Sequence, residues 1–240
     1  MTTTPYQPLT ANIAALRDHI AHCAAAAGRD PAEITLLAVS KTRSADEVAA
    51  ALDAGLQHIG ENYLQEALDK QHALQDRNIC WHFIGPIQSN KTRDIAQHFD
   101  WAHSVDRLKV AQRLSQQRPA TRPPLNICLQ VNISNEASKA GVAAADAAEL
   151  ARAIAELPGL RLRGLMAIPA NSADPQQQRQ AFAALRQLRD QLQRQLPEQS
   201  LDTLSMGMSG DIDAAVAEGS TLLRIGTAIF GPRTKHPAGN

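Results

Sequence analysis

The chain has 240 residues, 44% of them hydrophobic, enough for one large domain or two small ones with a sizeable core. Aromatic residues are only 3%, so that core must be built from Ala, Leu, Ile and Val. Lys plus Arg and Asp plus Glu both number 24, and the resulting zero net charge excludes the basic footprint of a nucleic-acid binder and a polybasic membrane anchor. Ile13, Leu16, Ile20 and Cys23 recur at three- and four-residue spacing and predict an opening amphipathic helix. The apolar run 34–40, ITLLAVS, then predicts a buried strand, and a helix follows over 45–54 with Gly55 as its stop. The alternation continues: strand 58–61 and helix 62–75, strand 81–84 and helix 91–98, strand 101–105 and helix 108–117. Strand 125–133 precedes helix 143–157, and strand 160–168 precedes the longest helix, 175–196, whose Phe182, Leu185, Leu188, Leu192 and Leu196 form one stripe. Strand 201–205, helix 211–218 and strand 222–225 complete the set.

Strands apolar on both faces and separated by helices require a parallel sheet covered on both sides. Eight such units in this length predict an α/β fold, a single (β/α)8 TIM barrel over residues 1–240 with an additional N-terminal helix. An open doubly wound sheet would call for a glycine fingerprint after the first strand, where the sequence reads SKTRS. Cys23, Cys80 and Cys128 are scattered without CxxC spacing, as expected of reduced thiols in a cytoplasmic protein. The first ten residues have neither a basic start nor an apolar stretch, so no signal peptide is expected, and no run approaches the ~18 apolar residues of a membrane span. A barrel of this size can stand alone, and a monomer is expected over an obligate oligomer.

Barrel chemistry sits at the carboxyl ends of the strands. Those ends carry Lys41, Glu61 and Asn62, Gly85 and Pro86, Ser104, Asn132, Met166, Ser205 through Ser209, and Arg224 through Thr227. A lysine emerging from a buried strand is partly desolvated, which favours the neutral amine that attacks carbonyls, although strand-end lysines are commonly just solvated. The stretch SMGMSGD, 205–211, lets backbone approach a ligand, and Ser209 stands where it could cap the next helix or face a phosphate. RIGT, 224–227, falls in the following loop, and loops after strands seven and eight commonly hold phosphate in these barrels. Arg224 lies in an otherwise apolar strand and needs partners, either a ligand or an ion pair with Asp202 or Asp211. A carbonyl-reactive lysine, a phosphate cup and an inward arginine together describe a pocket for a phosphorylated aldehyde such as pyridoxal 5′-phosphate, PLP.

Over nearly its whole length the chain resembles the pyridoxal phosphate homeostasis proteins, through LLAVSKT, HIGENYLQEA, WHFIGPIQSNK, HSVDR, VNISNEASKAG, RGLMAIP, LSMGMSGD and RIGTAIFG. The resemblance implies a barrel like the amino-terminal barrel of alanine racemase, with Lys41 holding PLP as an internal aldimine. It implies cofactor-binding roles for Asn62, Met166, Ser205, Ser209, Arg224, Gly226 and Thr227, with Arg224 near the pyridine nitrogen. Gly210 departs from the aspartate found in many relatives, and the tail TKHPAGN matches no motif. The implied function is storage, buffering or delivery of PLP, possible recipients being PLP-dependent apo-enzymes, without a dedicated reaction. The alternatives are a PLP-dependent amino-acid racemase and a Schiff-base aldolase. A racemase needs a second base, and the two tyrosines, Tyr6 in the amino-terminal tail and Tyr63 at a helix start, are weak candidates. The eight histidines are dispersed with no HxxxH pair beside a carboxylate, so no metal site is expected, and His82 reads as a satisfied core histidine.

Overall fold

The computed structural model describes residues 7–232 apart from positions 135, 137, 138 and 171; Tyr6, His236 and the tail at 234–240 lie outside the described residues. The elements run α1 (Gln7–Ala26), β1 (Thr35–Val39), α2 (Ala45–Asp53), β2 (His58–Glu61), α3 (Leu64–Ala73), β3 (Cys80–Phe83), α4 (Thr92–His98), β4 (Trp101–Val105) and α5 (Leu108–Gln117). Then come β5 (Leu125–Asn132), β6 (Val142–Ala143), α6 (Ala147–Ala155), β7 (Leu160–Met166), α7 (Pro175–Gln195), β8 (Thr203–Ser205), α8 (Ile212–Ala217), β9 (Leu222–Ile225) and α9 (Thr227–Phe230). All pairings are parallel, in the order β1-β2-β3-β4-β5-β7-β8-β9, and β9 pairs back onto β1. The eight principal strands therefore close a barrel, as the alternation of elements predicts, and closure leaves these strands no unpaired edge.

The helices form where the spacing places them, for identifiable local reasons. Leu9, Ile13, Leu16, Ile20 and Ala24 bury one stripe of α1. Ser44 and Glu47 form a reciprocal capping box at the start of α2, and Asp174 caps α7 just before Pro175. Several boundaries differ from the sequence expectation by a few residues, and three differences bear on the architecture. β6 is a two-residue strand paired parallel beside the end of β5, too short to register as a period, and it takes up the first residue of the expected helix 143–157, which begins at Ala147. The helix expected from 62 starts at Leu64, because Tyr63 is its extended N-cap, so Asn62 stays on the rim. The last strand is followed by a short helix of its own, α9.

The apolar core lies mainly between the barrel and the helices, where Phe99, Phe182, Ile59, Ile95 and Leu114 are fully buried. The lumen is different. His103 on β4 and Ser205 on β8 belong to strands separated by β5 and β7, yet they hydrogen-bond at 2.8 Å, so their side chains meet across the barrel interior. Outside the barrel, α1 packs on α8 and α9, and Asn12 Nδ2 of α1 donates to the Ile229 carbonyl at 3.1 Å. No helix among the described residues is long and apolar enough to cross a membrane.

Candidate functional site

Strand order explains why distant motifs meet. β2, β1, β9 and β8 are consecutive in the barrel, so the residues after their carboxyl ends, Asn62, Lys41, Gly226–Thr227 and Ser209, converge on one sector of the rim. These residues and Arg224 line a cavity of about 290 Å³, closed on its other sides by Val39, Ile84, Ile168 and Met208. That volume is at the small end of ligand pockets, and its mix of apolar walls with a few polar groups is the usual make-up of such a site. A larger groove of about 910 Å³ lies on the outer side of the Ser209–Gly210 loop, against α1 and α8, and carries none of the lysine chemistry.

Lys41 is half-buried in a turn that is held on both sides. Before it, the Ser40 carbonyl accepts from Lys70 Nζ at 2.7 Å and the Ser40 hydroxyl donates to Glu61 Oε1 at 2.5 Å. After it, Thr42, at φ 64, donates its N–H to Glu66 Oε2 at 2.9 Å. Lys70 Nζ also donates to Glu61 Oε1 at 2.6 Å, an ion pair buried beneath the rim. Burial pushes the Glu61 carboxyl above its ordinary value while Lys70 and Ser40 pull it back. Sequence reasoning places Glu61 on the rim but misses Lys70 and Glu66, which on a helix read as solvated charges; their only signal is their position after GENY.

Arg224 is buried and does not form the ion pair considered from sequence. Asp202 is engaged by Arg163 at 2.7 Å, and Asp211 accepts from the Met208 N–H at 2.5 Å. Arg224 instead donates to the Ser205 carbonyl at 2.5 Å, the Ser205 hydroxyl at 2.9 Å and the Ala167 carbonyl at 2.9 Å. Three of its five donors are thus directed at the barrel wall, which fixes the plane of the guanidinium. Burial lowers its pKa to about 10, helped back by Asp211, so it remains a cation at neutral pH. Behind Ser205 runs a file of imidazoles through the lumen: His103 Nδ1 meets Ser205 Oγ at 2.8 Å, His82 Nδ1 meets His103 Nε2 at 2.9 Å, and His58 Nδ1 meets His82 Nε2 at 2.9 Å. Burial drives His103 down to about 3 and His82 well below 6.5, so both are neutral. His82 is thus the satisfied core histidine expected from sequence.

The two closing loops differ from simple helix caps. Ser209 does not cap the next helix: α8 starts at Ile212, with Asp211 as N-cap and no side-chain cap bond. α9 likewise begins after Gly226 without a capping side chain, and Gly226 and Thr227 line the cavity. Asn62 Oδ1 is buried with no hydrogen-bond partner among the described residues, at the opposite wall. Its backbone is crowded by Gly85, where a Cβ would stand 2.2 Å from the Asn62 carbonyl oxygen, so the Gly85–Pro86 step noted on the rim serves to seat Asn62. Of the residues singled out from sequence, Lys41, Asn62, Ser209, Arg224, Gly226 and Thr227 line the cavity. Ser205 and Met166 do not. Ser205 is the buried support of Arg224, and Met166 is packed in the lumen with Trp101 and Cys128. Tyr63 is 54% exposed and is not among the lining residues.

The chain's similarities agree with this geometry. Residues 11–234 match the family model described as alanine racemase, N-terminal domain. The pyridoxal phosphate homeostasis protein of Pseudomonas aeruginosa is 61% identical over 222 residues, covering 92% of this chain and 94% of that protein. Its counterpart in Escherichia coli K12 is 53% identical over 225 residues, covering 92% and 95%. Among solved structures, PipY of Synechococcus elongatus, with PLP bound, superposes with a TM-score of 0.81 at 37% identity, covering 93% of this chain and 100% of that one. Alanine racemase of Corynebacterium glutamicum shares the fold at a TM-score of 0.65 and 15% identity, covering 90% of this chain and 62% of the enzyme. A closed barrel with a rim lysine, matched along more than nine-tenths of its length, makes this chain a member of the pyridoxal phosphate homeostasis protein family, built on the alanine racemase N-terminal fold.

Proposed function

We propose that the chain is a single-domain PLP-binding protein that holds the cofactor on Lys41 for storage, buffering and delivery in the cytoplasm, and that it has no dedicated reaction. The observation that carries this reading is the cavity in which Lys41, Asn62, Ser209, Arg224, Gly226 and Thr227 converge. The donor set fits the group: an amine for the aldehyde, uncapped amides and a hydroxyl for the phosphate, and the partnerless Asn62 Oδ1 for a ligand donor. The PLP-bound PipY structure supports the same ligand.

When bound, PLP supplies an aldehyde that captures amines and a pyridine ring that can draw electrons from an attached carbon. The protein's residues restrain the second property. Arg224 is a donor-only cation, so beside the pyridine nitrogen it would keep that nitrogen unprotonated and the ring a weak electron sink. Among the described residues, the cavity lining holds no tyrosine, histidine or carboxylate that would stand as a second base opposite Lys41. Ser205, fixed between Arg224 and His103, acts as a support for the guanidinium. Delivery to PLP-dependent apo-enzymes by a monomeric carrier is part of the same proposal.

Lys41→Ala tests the assignment. Protein loaded with PLP and reduced with borohydride is expected to carry the cofactor on the peptide containing Lys41, and the variant is expected to lose the visible absorption band while keeping its circular dichroism. A band that survives in the variant, or label on another lysine, overturns it.

A further inference from the structure

His58, Cys80 and His82 lie toward the amino-terminal end of the barrel, and none of them lines the rim cavity. Strand register brings them together. β2 and β3 pair with His58 opposite Cys80, and His82 stands two residues further along β3 on the same face. His58 Nδ1 lies 2.9 Å from His82 Nε2, Cys80 Sγ lies 3.3 Å from the same nitrogen, and all three donor atoms fall within 4.8 Å of one another. In a tetrahedral zinc site, with Zn–N of about 2.0–2.1 Å and Zn–S of about 2.3 Å, the corresponding N···N and N···S edges are roughly 3.3 and 3.6 Å. The two short edges therefore need to open by only a few tenths of an ångström to reach those lengths.

We propose that His58, Cys80 and His82 form a binding site for a borderline-soft divalent cation, zinc in particular, at the amino-terminal end of the barrel, and that its occupation reverses the hydrogen-bond polarity of the imidazole file up to Ser205. Two nitrogens and a sulfur select zinc over magnesium or calcium. The outer partner that a metal-bound histidine needs is already in place, since His82 Nδ1 faces His103 Nε2 at 2.9 Å. An entry path exists as well: His58 and His82 line a cavity of about 390 Å³ at the lower mouth of the barrel, with Glu33, Trp101, Arg163 and Asp202. A water in that cavity would be the fourth ligand. Burial keeps both imidazoles neutral and ready to bind. It also holds the Cys80 thiol protonated, so as the Zn–S bond forms the S–H proton leaves to solvent.

The polarity reversal follows from donor counting. Without metal, the donor-only Arg224 gives a proton to Ser205 Oγ, whose O–H donates to His103 Nδ1; His103 then carries its proton on Nε2 and donates to His82, which donates to His58. A cation on His82 Nε2 requires the proton on Nδ1, so His82 donates to His103, and His103 donates from Nδ1 to Ser205. His82 and His103 each keep one proton but carry it on the other nitrogen, while His58 keeps its proton on Nε2 in both states. The supporting partner of Arg224 would thus receive a hydrogen bond where it formerly gave one.

The test is best made in a Cys23→Ser background, because His19, Cys23 and Asp213 form a second donor cluster on the surface. Titration of this protein with Co2+ is expected to give one equivalent with thiolate-to-cobalt absorption in the near ultraviolet. Adding Cys80→Ser should remove that absorption, and His58→Gln should weaken binding by at least about tenfold. Nitrogen-15 spectra should show the His103 proton moving from Nε2 to Nδ1 on addition of zinc. A Cys23→Ser protein that takes up no cobalt, or a band that persists without Cys80, overturns the site. A His103 proton that stays on Nε2 in zinc-loaded protein overturns the reversal. None of these readouts involves the cofactor, so the inference stands or falls apart from Lys41.

Discussion

Single side chains do most of the positioning at the rim, and the least conspicuous of them is Lys70. It sits 7% exposed, bonded to both Glu61 and the Ser40 carbonyl, so it clamps the residue just before Lys41. Removing one partner of a buried pair leaves a charge uncompensated, at a cost of about 3–5 kcal/mol, whereas removing both charges is far milder. Lys70→Met is accordingly expected to lower the urea midpoint strongly and to weaken PLP binding through the loosened turn. The double variant Glu61→Gln with Lys70→Met should recover much of the stability. A single variant as stable as the parent would show that the pair is not holding the turn. Lys41 and Arg224 were legible in the sequence because each is a charge set in or beside an apolar run. Lys70 was not, because α3 is polar over much of its length and gives no hint that this lysine turns inward.

At the scale of elements, the alternation of short apolar runs with helical periods carried nearly everything: β2, β4, β9 and α5 fall where the sequence places them, to the residue. What escaped was too short to have a period, namely β6 and α9, or depended on pairing between strands. His58, His82 and His103 look dispersed along the chain, and only the closure of the sheet brings them into one file. Local signals set the element that follows the Lys41 turn. Ser44 accepts from the Glu47 N–H while Glu47 Oε2 accepts from the Ser44 N–H at 2.8 Å. Ser44→Ala should cost about 1 kcal/mol, read as a modest shift in the urea midpoint with an unchanged slope. A loss near zero would mean that tertiary contacts alone define the start of α2.

The whole molecule inherits a pH dependence from its lumen. His82 and His103 are held far below 6.5 by burial, and His58 is lowered for the same reason. Unfolded chains release these imidazoles to titrate normally, so below pH 6.5 the unfolded state binds more protons than the folded one. Their contribution is fully present above about pH 6.5 and is lost as pH falls toward the folded values, by up to about 1.4 kcal/mol per pH unit for each imidazole. Urea midpoints are therefore expected to decline from pH 6.5 to 5, and His103→Asn should flatten that decline. A flat profile in the parent protein would mean that the lumen histidines are not neutral and dry.

The placement of α1 outside the barrel has a mechanical result. This one helix lies across both α8 and α9, the short helices that open just beyond Ser209 and Gly226, and is stitched to the second through Asn12. Neither can swing outward without breaking contacts it shares with the same rod, among them the His19–Asp213 pair on α8. The two helix starts beside the proposed cofactor site thereby share one support, and displacing α1 is expected to disturb both.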